Sequence, residues 1–129
     1  MTEPFEAGNE TILFVDDDRM VLLVGREMLA ELGYQVIAAD NGDDALKIFA
    51  SGYDRIDLVI LDLIMPKLGG GETYDRLRAI DPDVRTLLST GYDIDGEASE
   101  ILRKGCNGFI QKPFGIEELS AKIREVLKG

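Results

Sequence analysis

The sequence predicts an α/β fold: five β–α units in succession, forming a doubly wound, five-stranded parallel sheet with helices on both faces. Two observations carry this. Short, nearly continuous apolar runs recur along the chain, as in strands buried on both faces. Each run is followed by a segment with apolar residues at spacings of three and four, as in a helix lying on such a sheet. In these sheets functional residues collect beyond the carboxyl ends of the strands.

Residues 1–10 read as a flexible lead-in, with Pro4, Gly8 and Asn9 as breakers, before a single domain over 11–128. Thr11 to Val15 (TILFV) is the first strand. A helix follows with Met20, Val21, Val24, Met28, Leu29 and Leu32 on its apolar face, closing at Gly33. Tyr34 to Ala39 is β-like. Asn41 or Gly42 opens a second helix, with Ala45, Leu46, Ile48 and Phe49 inward, ended by Gly52. Ile56 to Leu61 is the third strand, and a Pro/Gly-rich loop from Met65 to Gly71 leads into a helix reaching Ile80. Val84 to Ser89 is strand-like, Ile94 to Lys104 helical, and Phe109 to Gln111 a short strand. Ile116 to Leu127 is a clear amphipathic helix, with Leu119, Ile123, Val126 and Leu127 on one face.

Composition removes several functions. The 129 residues carry 14 Lys and Arg against 25 Asp and Glu, a formal net charge of −11, and contain no histidine. Without histidine there is no Ser-His-Asp or Cys-His catalysis, no His-ligated zinc and no phosphohistidine on this chain. An acidic surface repels nucleic-acid backbones, so no direct nucleic-acid contact is expected. A single cysteine cannot form an internal disulfide, which fits a reducing cytoplasm. The N-terminus is acidic and polar, unlike a signal peptide, and no apolar stretch is long enough for membrane insertion.

The strand exits are where the chemistry gathers. The first strand ends in Asp16, Asp17 and Asp18, the third in Asp62, the fourth in Ser89, Thr90 and Gly91, and the fifth in Lys112 and Pro113. Carboxylates crowded in a partly desolvated pocket repel each other, and a hard divalent cation offsets that repulsion. An all-oxygen ligand set is what Mg²⁺ prefers. An ionised Asp beside such a cation can attack a phosphoryl phosphorus, while a lysine and a hydroxyl stabilise the transferred group.

These residues resemble the receiver domain of two-component response regulators, the CheY-like family. The resemblance rests on Phe14–Asp17, Asp62–Pro66 with Gly70, Ser89–Gly91 and Gly108–Phe114, in order, and spans roughly residues 10 to 128. It implies a flavodoxin/CheY-like sheet with strand order 2-1-3-4-5. It implies that Asp62 is the phosphoacceptor in a two-component phosphorelay. Asp16, Asp17 and Asp62, with the backbone carbonyl of Ile64, would hold Mg²⁺ (or Mn²⁺). Thr90 and Phe109 would form a switch, Lys112 would pair with the phosphoryl group, and the Lys112–Pro113 peptide would be cis. The donor would be a phosphohistidine on a partner histidine kinase or histidine phosphotransfer protein. The output partner is left open, and a weak dimer is compatible with the family. Catalysis would be limited to the domain's own aspartyl phosphorylation and dephosphorylation. Glu10–Asp17 and Gly105–Phe114 also resemble receivers appended to hybrid sensor histidine kinases.

Some residues depart from the family pattern or have plainer readings. Ile64, two after Asp62, stands where many receivers carry a polar side chain or methionine. Phe109 lacks the hydroxyl of the commoner tyrosine. Tyr92, two after Thr90, is a neighbour that could shield the site. Asp18 reads as a helix N-cap and Cys106 as a small buried hydrophobe. The rival from another class is a Mg²⁺-dependent phosphohydrolase with an aspartate nucleophile, which would use Asp16 and Asp18 as a nucleophile-first D-x-D pair. The absence of a cap domain and the Lys112–Pro113 pair favour the receiver.

Overall fold

The computed structural model describes residues 8–91 and 96–128. Tyr92 and Ile94 lie outside the described residues. Five strands, β1 (Thr11–Val15), β2 (Gln35–Ala39), β3 (Leu58–Asp62), β4 (Thr86–Thr90) and β5 (Gly108–Gln111), alternate with five helices. The helices are α1 (Arg19–Glu31), α2 (Gly42–Gly52), α3 (Gly70–Ile80), α4 (Gly96–Arg103) and α5 (Ile116–Lys128). All neighbouring strands run parallel, in the order β2-β1-β3-β4-β5. The central strands are buried on both faces, which is why their sequences are nearly continuous apolar runs.

Strand alternation divides the core in two. Leu13, Val15, Val59, Leu61 and Leu88 face α2, α3 and α4, packing with Phe49, Tyr74, Leu77 and Ile101. Ile12, Phe14, Leu58, Ile60, Leu87 and Ile110 face α1 and α5, packing with Leu29, Leu32, Leu119 and Ile123. By the same alternation Asp16, Asp62, Ser89 and Lys112 belong to the α1/α5 face.

Several boundaries differ from the sequence reading. Beyond α2 a 3-10 turn (Tyr53–Arg55) takes up the chain, so β3 starts at Leu58 instead of Ile56. Within the expected lead-in, residues 8–10 are fastened. Gly8 N–H donates to Leu32 O, Glu10 O accepts from Gln35 N–H, and the Glu10 carboxylate meets Arg124 at 3.3 Å. On α1, Met20 and Val24 were expected to face inward but are 65 % and 42 % exposed. Gly25 takes the inward position beside Phe14, where an added Cβ would lie 2.2 Å from the ring, and Leu29 and Leu32 complete the buried face. Both Met20 and Val24 instead line a groove toward Phe114. Cys106 is buried, its Sγ 3.3 Å from Thr86 O. Among the described residues no helix is long and apolar enough to cross a membrane.

Candidate functional site

The end of β1 begins the site. Asp16 is fully buried, and its Oδ1 accepts the backbone N–H of Asp18 at 2.9 Å, which shapes the turn into α1. Asp18 then acts as the N-cap, its Oδ1 accepting from Met20 N–H at 2.9 Å and Val21 N–H at 3.3 Å. That capping role draws the Asp18 carboxylate into the helix start and weakens the D-x-D reading.

Across the sheet, Val15 pairs with Leu61, so the next residues, Asp16 and Asp62, sit side by side. Behind Asp62 the chain turns tightly. Gly70, at the start of α3, donates its N–H to Leu63 O, and an added Cβ there would lie 2.6 Å from Asp62 O. Only glycine permits this approach, and it braces the backbone that carries Asp62. In the same loop Lys67 has φ 66, at the centre of a three-residue turn closed by Leu68 N–H to Pro66 O.

Lys112 reaches the acids from β5. Its Nζ donates to Asp16 Oδ2 at 2.9 Å and to Asp62 Oδ1 at 3.2 Å. The Lys112–Pro113 peptide is cis. Burial, joined by the negative charge of Asp16, pushes the Asp62 carboxyl up to about 7 against the opposing pull of Lys112. Burial disfavours the Lys112 ammonium, but the two carboxylates more than compensate and raise its pKa.

The open pocket above these groups is lined by Asp16, Asp17, Asp18, Asp62, Ile64, Thr90, Gly91 and Lys112. Carboxylate oxygens of Asp16, Asp17 and Asp62 lie within 4.8 Å of one another, so this acidic cluster could bind a metal ion. Two buried acids and one exposed acid, all oxygen donors with one cation between two of them, form a donor set that suits a hard divalent ion. Of the residues singled out in the sequence, Asp16, Asp17, Asp62, Ile64, Thr90 and Lys112 are brought together here. Phe109 is not among the lining residues. It is half-buried on β5, opposite Leu88, on the sheet face it shares with Thr90. Ser89, placed at the same strand exit by the sequence but given no role there, is buried and pairs with Asp62 in the strand register.

The chain is similar to known proteins over nearly its whole length. Residues 12–124 match the family described as response regulator receiver domain. The chain is 41 % identical over 117 residues to the response regulator MprA of Mycolicibacterium vanbaalenii, covering 91 % of this chain and 50 % of that protein. It is 31 % identical over 122 residues to the sensor kinase CckA of Brucella abortus, covering 95 % of this chain and 13 % of that protein. The chain thus spans half the length, or less, of these curated relatives. Among solved structures, the response regulator TrrA of Thermotoga maritima, in complex with Mg²⁺ and BeF, superposes with a TM-score of 0.81 at 34 % identity. That match covers 91 % of this chain and 98 % of that one.

Proposed function

Because the chain belongs to the response regulator receiver domain family, we propose that it takes a phosphoryl group onto Asp62 from a partner phosphohistidine and switches an interaction surface in response. The family itself makes this a signalling domain of two-component systems with a CheY-like phosphoacceptor fold. The observation that carries the assignment of residues is Lys112 bridging two buried carboxylates, Asp16 and Asp62, at the mouth of an open pocket.

In this reading Asp62 is the nucleophile. A carboxylate oxygen forms a bond to phosphorus as the phosphorus–nitrogen bond to the partner's histidine breaks, and the imidazole leaves with the bond electrons. Asp16, Asp17 and Asp62, with the backbone carbonyl of Ile64, would hold Mg²⁺, or Mn²⁺ in its place. That cation would supply positive charge against the phosphoryl oxygens. Lys112 neutralises a further phosphoryl oxygen, and the Thr90 hydroxyl donates to another. Thr90 and Phe109 share a sheet face, which supports a switch passing from the site toward α4. The domain's own chemistry is limited to phosphorylation and dephosphorylation of Asp62.

The partner is a histidine kinase or a histidine phosphotransfer protein, and we place the encounter in the cytoplasm. A groove of about 410 Å³ along α1, lined by Met20, Val21, Val24, Met28, Pro113 and Phe114, shares Lys112 with the acid pocket. That continuity supports a donor that rests an apolar face on α1 while its phosphohistidine reaches Asp62. We take residues 11–128 as one receiver domain, able to form a weak dimer.

The test is incubation with Mg²⁺ and acetyl phosphate, followed by intact mass. The wild type should gain one phosphate and Asp62→Ala none. No gain in the wild type, or an equal gain in Asp62→Ala, refutes the assignment.

A further inference from the structure

Lys112 follows β5 yet its side chain ends on Asp16, just beyond β1, and Asp62, the last residue of β3. Strand β4 lies between, so the lysine side chain spans the end of β4. The residue of β4 on that face is Ser89, the register partner of Asp62 on one side and of Ile110 on the other. Ser89 is 1 % exposed, and its Oγ has no hydrogen-bond partner among the described residues. A buried hydroxyl without a partner is costly, and native folds seldom keep one without a use. The other such hydroxyl on β4, Thr86 Oγ1, sits at the opposite end of the strand and on the other face, away from the lysine.

We propose that Ser89 is a positioning residue of the acid pocket: its Oγ accepts an N–H from Lys112 once Asp16 gives up the lysine to serve a divalent cation. The inference rests on the cation-binding reading above. In the order β2-β1-β3-β4-β5, an ammonium released from Asp16 retreats from β1 toward its own strand. That path runs over β4, where the waiting acceptor is Ser89. The small side chain leaves room for the lysine stem, and the hydroxyl gives its charge a place to go. Ser89 therefore lowers the cost of parting Lys112 from Asp16, and the acids bind a cation more tightly.

The experiment compares wild type, Ser89→Ala and Ser89→Cys by thermal melting without cation and by calorimetric titration with Mg²⁺. Ser89→Ala removes an orphaned group, so without cation it should melt at the same temperature or a few degrees higher. Its Mg²⁺ dissociation constant should rise about tenfold, the weight of one charge-assisted hydrogen bond. Ser89→Cys, similar in size but a weak acceptor, should show the same loss of affinity. Loss of a hydroxyl that merely stabilised the fold would lower the melting temperature and leave affinity alone. Affinities within twofold of wild type, or a lower cation-free melting temperature in Ser89→Ala, overturn the role of Ser89. If the wild type itself shows no Mg²⁺ binding, it is the cation-binding reading that fails, and this inference falls with it.

Discussion

Asp62→Asn should make the cation-free protein more stable at neutral and alkaline pH, and the structure sets the size of the gain. The folded protein raises the Asp62 carboxyl from 3.8 to about 7. At about 1.4 kcal/mol per unit, that difference is worth roughly 4 kcal/mol. A raised carboxyl binds its proton more tightly in the folded state than in the unfolded one. Stability is therefore full below the unfolded value, near 4, and lost as pH rises through the folded value of about 7. The asparagine amide cannot ionise, so this loss disappears in the variant. The assay is urea unfolding of both proteins from about pH 4 to about pH 8, without cation and with saturating Mg²⁺. The difference between the two should widen with pH, approaching 2–4 kcal/mol at about pH 8, the lower figure allowing for relaxation around the charge. Saturating Mg²⁺ should shrink the difference, because the acids of the wild type then gain a counter-charge. A difference that stays flat with pH would mean Asp62 ionises without penalty, and neither its burial nor the charge of Asp16 would be a source of strain.

Three other outcomes follow from particular contacts. Lys67→Gly should stabilise the protein by about 0.5–1 kcal/mol in denaturant unfolding, since Lys67 occupies φ 66; an unchanged or lower midpoint would count against strain there. Gly25→Ala should cost about 2 kcal/mol despite the better helix propensity of alanine, because its Cβ would meet the Phe14 ring at 2.2 Å; a neutral or stabilising effect would show that α1 shifts freely. Ile64 is 56 % exposed and lines the acid pocket. Ile64→Asn should shorten the acyl-phosphate lifetime, since an amide can orient the attacking water and a branched alkyl group cannot; an equal or longer lifetime in the variant would refute this.

Much of the fold was legible because local patterns agreed with the tertiary arrangement. The apolar runs at Thr11–Val15 and Leu58–Asp62 allow little other than buried parallel strands. Asn41 was readable as a helix start, and its side chain does accept from Asp44 N–H at 2.7 Å. Helix faces were less legible. Met20 and Val24 fit the inward spacing of α1, yet Gly25 sets how closely the helix approaches β1, and a missing side chain carries no hydrophobic signal. Edges of the third and fourth strands shifted because pairing partners, not composition, decide where a ladder begins.

The order of elements, and which acids, hydroxyl and lysine stand at strand exits, are written along the chain. Those are properties of neighbouring residues, and side-chain periodicity records them. How those groups relate in space comes from the packing of the sheet. Lys112 joins Asp16 across 96 positions of chain, and Ser89 lies beneath that span because β4 comes between β5 and β3. The raised pKa of Asp62 likewise depends on burial and on a neighbour 46 residues away in the chain, Asp16, set beside it by strand register. Distance through the sheet, the source of both effects, is not a function of distance along the chain.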